Sequence, residues 1–378
     1  MFQSNSSFDK ITIPSANKPS CFPSLTQGRI PALNGWRAVC IVLVLLHHSK
    51  WVAGNPGWNV TGMGGLGVRF FFVLSGFLIT LLMLREVTRN GKLNVKAFFK
   101  RRCLRILPVY YAFLAFIFLL QVLTPYHLPL GEWIPNLTFT KNYFGKDWTT
   151  GHLWSLAVEQ QFYLLWPFVF RRLNPLVTPS RSLVWLAVPV VICPILWAIG
   201  SALNLQGPLG LGSFLINADA LAVGCALSII LWHWGEEIGA RLQPWRHMLL
   251  LAGIVVVVLP LWLSLSLRGY MFAITFAFPT LQNFGLALLI TLSIKQTRCR
   301  LLNWLDWHWI SFIGLISYSL YMWQAIFCSN PAIFGLAPAW WNSYPFWMLS
   351  SFLTAIASFY LIERSFLRKR EANAYIHR

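Results

Sequence analysis

Charge is what this sequence has least of. Asp, Glu, Lys and Arg together make up 11% of its 378 residues, where a soluble domain carries about a quarter. A chain so poor in charge cannot clothe a water-facing globule of this size, which excludes a soluble enzyme. Acidic side chains are scarcer still, 11 against 30 basic ones, for a net charge of +19. The seven cysteines (21, 40, 103, 193, 225, 299, 328) form no CxxC pair, and an odd, scattered set excludes a disulfide framework and a zinc site. No Cys/His cluster has metal-ligand spacing, so neither a metal nor a permanently bound cofactor is expected. No cleavable leader is expected, since residues 1–35 are polar and rich in Ser, Pro and Asn, and neither an internal repeat nor a separate soluble domain is read in the sequence.

Apolar surface is abundant instead. The chain is 57% hydrophobic, with 20 Trp and 29 Phe. Runs long enough to cross a hydrocarbon core of roughly 30 Å recur along its whole length. The sequence therefore reads as an all-α polytopic membrane protein with about ten transmembrane helices. They are placed near 36–53, 65–84, 106–123, 152–170, 183–201, 214–234, 248–267, 271–294, 309–329 and 345–363. Basic residues then orient them. One set of loops holds Arg85, Arg89, Lys92, Lys96, Lys100, Arg101, Arg102, Arg105, Arg171, Arg172, Arg181, Arg241, Arg246, Lys295, Arg298, Arg300, Arg364, Arg368, Lys369 and Arg370. The alternate set holds only Lys50, Lys141, Lys146 and Arg268. By the positive-inside rule both termini are cytoplasmic. Residues 1–35 then form a polar cytoplasmic tail, 36–366 the membrane domain and 367–378 a basic cytoplasmic tail. Charge spread over five short loops is topology, and no nucleic acid partner is implied. The basic stretch RNGKLNVKAFFKRRCLR is an amphipathic mix suited to the cytoplasmic face.

Against this background the ionisable groups inside the apolar runs stand out, because each costs at least a few kcal/mol at membrane depth. Arg37 and His48 are eleven residues apart, three helical turns plus about 20°, so they share a face roughly 16 Å apart along the axis. His47 points about 80° away from that face. His48 falls in the outer half of its span, as does Arg69 in GVRFFFVLSGFLIT. In HLWSLAVEQQFYLLWP, His152 begins outside and Glu159 lies about 10 Å further in. Asp219 and Gln324 fall at similar depths. These six polar side chains on one level predict a lined outer cavity. Taken singly, each is also explained as a helix-packing group or, for Arg69, as a side chain reaching to headgroups.

Five motifs carry a family resemblance: ALNGWRAVCIVLVLLHH, GVRFFFVLSGFLIT, FFKRRCLRILPVYY, HLWSLAVEQQFYLLWP and ISYSLYMWQ, in this order. Together they resemble the acyltransferase type 3 family of integral-membrane acyltransferases, from residue 32 to about residue 366. The resemblance implies about ten spans and transfer of an acyl group, acetyl or succinyl, from acyl-CoA to a hydroxyl of a glycan. It implies a bacterial inner-membrane setting and acceptors such as exopolysaccharide, lipopolysaccharide O-antigen, Nod factor or peptidoglycan, free or lipid-linked. By motif, His48 matches the family's first-span histidine and Arg37 the arginine before it. Arg101, Arg102 and Arg105 match a cluster associated with the acyl-CoA donor, and Glu159 matches the first acidic residue of WSL-x-VEE. Asn34, Gln160, Gln324 and Ser365 depart from the commonest Asp, Glu, His and Pro.

The residue types suit that chemistry. O-acylation needs a base for a weakly acidic hydroxyl, and imidazole serves. Glu159 is expected to hold the His48 tautomer or to protonate the departing thiolate, and Arg69 or Arg37 to stabilise the oxyanion. Arg101, Arg102 and Arg105 offer bidentate partners to the donor's phosphates. His152, Asp219 and Gln324 are expected to line the acceptor cavity. Two other classes stay open at this level: a transporter or flippase of a lipid-linked saccharide, which would ignore acyl-CoA, and a silent scaffold of a glycan-synthesis complex, which would not turn it over.

Overall fold

A computed structural model of the chain describes residues 23–26, 28, 30–49, 52, 62–145, 147–203, 214–266, 278–294, 297–335, 337 and 340–368. Among them the structure is helical and contains no strand. The main elements are α1 (Ala32–His48), α2 (Met63–Asn90), α3 (Val95–Leu123), α4 (Leu130–Thr138), α5 (Leu153–Leu173), α6 (Pro179–Ala202), α7 (Phe214–Leu242), α8 (Arg246–Ser266), α9 (Phe278–Ser293), α10 (His308–Cys328) and α11 (Phe346–Ser358). One π-helical turn, Phe359–Glu363, extends α11.

Each of the ten apolar segments overlaps one of these helices, and α4 is the addition. Six helical stretches among the described residues are long and apolar enough to cross a membrane: Met63–Asn90, Val95–Leu123, Pro179–Gly200, Phe214–Leu263, His308–Cys328 and Phe346–Arg368. The fourth runs through both α7 and α8, while α1 and α9 are apolar but shorter. Several sequence expectations fall outside the described residues. They are most of the 1–35 tail, the 369–378 part of the C-terminal tail, and the charges Lys50, Lys146, Arg268, Lys295, Lys369 and Arg370.

The basic segment 85–105 differs from its expected form. Helix α2 continues past residue 84 until Gly91, whose φ of 69° puts it in the left-handed region and whose N–H returns to the Val87 carbonyl at 2.8 Å. Only glycine adopts that C-terminal turn freely. Asn94 then caps α3, its side chain accepting from the Ala97 N–H at 2.9 Å. The segment is thus two helix ends and a turn, and Arg101, Arg102 and Arg105 stand on α3 itself.

The helices pack as a row, α11–α10–α1–α2–α7–α6, with α8 and α9 paired beside α7. Small residues set the spacing. A Cβ on Gly76 of α2 would meet the Leu221 carbonyl oxygen at 2.1 Å, and one on Gly224 of α7 would meet the Val73 oxygen at 2.1 Å. At the α1–α10 crossing a Cβ on Gly314 would lie 1.8 Å from the Asn34 oxygen. Helices in an apolar solvent associate through such close backbone packing, since lipid supplies no hydrophobic drive between them. Helices α3 and α5 cross one face of the row. Their outward sides carry Phe118, Leu119, Val122 and Leu164, all exposed, as an integral membrane protein requires.

Candidate active site

A cavity opens between α3, α5 and the row of α1, α2 and α10. Its basic end is formed by Arg102 and Arg105 on α3 and Arg37 on α1. Phe71, Phe72, Leu74 and Leu78 of α2 supply an apolar wall. Along α5 the lining runs from Tyr163 through Glu159 to Ser155, about 12 Å of helix. A concave site with an apolar wall and a few convergent polar groups is the general form of a small-molecule site.

The three arginines expected to act together divide. Arg101 turns from the cavity and pairs with Glu86 at 2.5 Å. Arg102 lies over the rings of Phe98 and Tyr163, 5.7 and 5.8 Å from their centroids. Arg105 lines the cavity beside it, one turn on. Arg37 is within electrostatic reach of Arg105, Glu363 and Glu159.

Glu159 is placed differently from the sequence expectation. Its carboxylate accepts from the Ser75 hydroxyl at 2.6 Å and from the Tyr163 hydroxyl at 3.3 Å. It belongs to the basic half of the cavity and does not hold the His48 ring. That role falls to Gln324, whose Oε1 is 2.8 Å from His48 Nδ1 and also accepts from the Cys328 thiol at 3.3 Å. With an amide oxygen opposite it, Nδ1 carries the proton and Nε2 is left as the basic nitrogen. Asn34 meets Gly314 at the other end of α1, fourteen residues from His48 and about 21 Å along the axis. It is no partner of the histidine. His47 packs instead on α2, where a Cβ on Gly64 would meet its ring at 2.7 Å.

Arg69 and Asp219 form a separate group. Both guanidinium nitrogens of Arg69 reach the carboxylate at 3.4 Å, and Thr280 and Asn283 donate to it at 2.7 and 2.8 Å. Asp219 is wholly buried and lines no part of the main cavity. Arg69 borders a second one, beside Trp154, Asn217 and Gln282. The single level of six converging side chains therefore resolves into three groups. Spacing along each helix was readable from the sequence, but the direction in which each helix faces its neighbours was not.

His152 lies between the groups. Its ring is buried edge-on to Phe113 and Tyr321, at centroid distances of 5.3 and 5.5 Å. It is within electrostatic reach of His48. The Tyr321 hydroxyl donates to the His152 carbonyl at 2.8 Å and pairs with Ser155 at 2.7 Å. Tyr321 and Ser155 both line the main cavity, so its far end reaches the residues packed on His152.

Ser75, Tyr163, Tyr321 and Trp148 were missed at the sequence level. Tyr163, one turn after Glu159, had a readable signal. Trp148 did not, because it reaches His48 from the loop 124–151, edge-on with ring centroids 5.5 Å apart. That loop is pinned by Asp147, which accepts from the Thr149 N–H at 2.9 Å and the Tyr126 hydroxyl at 3.2 Å. Burial pushes the Tyr126 phenol well above its ordinary pKa, so it stays a donor. Among the described residues no three His, Cys, Asp or Glu side chains are gathered to share a metal ion.

A family model described as an acyltransferase domain matches residues 30–364. A Bacillus subtilis protein, YrhL, is 25% identical over 381 residues, covering 92% of this chain and 57% of its own length. The peptidoglycan O-acetyltransferase OatA of Listeria monocytogenes is 24% identical over 363 residues, 88% of this chain and 55% of that protein. The O-acetyltransferase OatA of Staphylococcus aureus strain NCTC 8325 is 32% identical over 162 residues, 37% of this chain and 24% of that protein. The chain thus spans little more than half the length of the first two relatives. No solved structure matches it.

Proposed function

We propose, proceeding from a chain that belongs to this acyltransferase family, that it transfers an acyl group, acetyl first among candidates, from acyl-CoA to a hydroxyl of a glycan. The observation that carries the reading is the cavity itself. It joins Arg102 and Arg105, suited to a phosphorylated donor, to a far end at Ser155 and Tyr321, which pack on His152, itself within electrostatic reach of His48. In this reading the ten apolar segments all span, the basic ends of α2 and α3 face the cytoplasm, and both termini lie there. The donor's phosphates stay at Arg102 and Arg105, while its thioester advances along the α5 wall. His48 Nε2 takes the proton from the acceptor hydroxyl as the oxygen attacks the thioester carbonyl. The C–S bond breaks, the ester forms and the thiolate leaves with a proton. Neither arginine first considered for the oxyanion stands at His48: Arg37 belongs to the basic end, three turns of α1 away, and Arg69 is held by Asp219.

The names of the Listeria and Staphylococcus relatives, both O-acetyltransferases, support an acetyl group, and the Listeria name supports a peptidoglycan-type acceptor. The test uses the full chain in liposomes with labelled acetyl-CoA and glycan fractions. Label entering the glycan as a base-labile ester is the expected result. A protein that neither binds nor consumes acyl-CoA overturns the reading and favours transport.

A further inference from the structure

Helix α10 presents Ser317, Tyr321 and Gln324 at positions i, i+4 and i+7, one face of a helix. Gln324 holds His48, and Tyr321 ties the start of α5 to that face. Ser317 lines the main cavity, shows no exposed surface, and its hydroxyl finds no hydrogen-bond partner among the described residues. Of the other buried helical serines, Ser228 and Ser358 are likewise without a partner among the described residues, but neither lines this cavity, and the rest are satisfied. Ser329 and Ser351 return to the carbonyl one turn back at 2.6 and 2.9 Å, and Ser319 donates to Glu363 at 2.8 Å. An orphan hydroxyl in an apolar wall is unfavourable unless something that enters the cavity accepts from it. The neighbouring Ser75 hydroxyl is already spent on Glu159.

A ligand that suits this wall is slender and largely alkyl, with a carbonyl at the height of Ser317. Seven residues separate Ser317 from Gln324, about 10.5 Å along the helix. In an extended acyl-pantetheine arm, the amide carbonyl farther from sulfur stands about 11 Å from the thioester carbon by standard bond lengths. The nearer amide stands at only about 6 Å. We infer that the Ser317 hydroxyl donates a hydrogen bond to the amide of the donor's pantetheine arm that lies farther from sulfur. It thereby fixes how far the thioester advances toward His48. Ser317 is a positioning residue, and the assignment rests on the acyl-CoA reading above.

Three donors separate the outcomes: acetyl-CoA, S-acetylpantetheine, and S-acetyl-N-acetylcysteamine, which keeps only the amide nearer sulfur. Ser317→Ala is expected to lower kcat/KM about fivefold for the first two and to leave the third unchanged. Ser317→Thr, which keeps a hydroxyl, is expected to restore most of the loss. Equal loss with all three donors would mean a structural role and overturns the assignment, as does no change with any. Failure of the unaltered protein to use acetyl-CoA at all overturns the acyltransferase reading, and this inference with it.

Discussion

His47 and His48 are neighbours in sequence with different surroundings. His48 is tied to Gln324 and faces Trp148, while His47 packs on Gly64. His48→Ala is therefore expected to abolish acyl transfer at near-normal protein level. His47→Ala should keep substantial activity and lose only packing. Radiolabel transfer normalised to membrane-inserted protein measures both, and equal loss would remove the assignment. The arginines divide in the same way. Arg102→Lys and Arg105→Lys keep the charge but lose the planar fork, and each is expected to raise the donor KM several-fold. Arg101→Lys should not, because Arg101 is engaged by Glu86 outside the cavity. A steady-state donor titration of the three variants checks the split. The Arg37–His48 face was legible from period alone. The Gln324–His48 contact was not, because it depends on the angle at which α10 meets α1.

At the scale of elements, the Arg69–Asp219 pair joins α2 to α7, and Thr280 and Asn283 bring in α9. Asp219→Ala would leave the guanidinium buried without its counter-charge, a change that costs about 3–5 kcal/mol in such pairs. A much lower thermal midpoint in detergent is expected. The double variant Arg69→Leu/Asp219→Ala should recover much of it, and a double variant no better than the single would show that the pair is not the source. Sequence reading placed the apolar segments on the right helices because hydropathy reports burial in lipid or protein. It stopped α2 near residue 84, where hydropathy falls, although LREVTRN keeps helical propensity up to the Gly91 cap. It also passed over α4, where LGEWIPNLT is short, carries Pro135 and sits among turn formers.

For the molecule as a whole, the basic end of the cavity and the histidine end lie at opposite ends of its helices. In the proposed transfer, chemistry at one end and phosphate recognition at the other would make the reaction directional. Sealed vesicles of known orientation are expected to turn over only with acyl-CoA on the side of Arg102 and Arg105 and acceptor on the other. Turnover that needs both on the arginine side would place the acceptor's entry there instead. The backbone contact between Gly76 on α2 and Gly224 on α7 bears on how anything bulky gets in. That crossing is a weld, with no slack for the two helices to slide or part. The parts left to yield are α3 and α5, whose outward sides are apolar and exposed. Under the proposed transfer, making room for a glycan or a departing coenzyme would push lipid aside, and the stiffness of the surrounding bilayer would enter the rate.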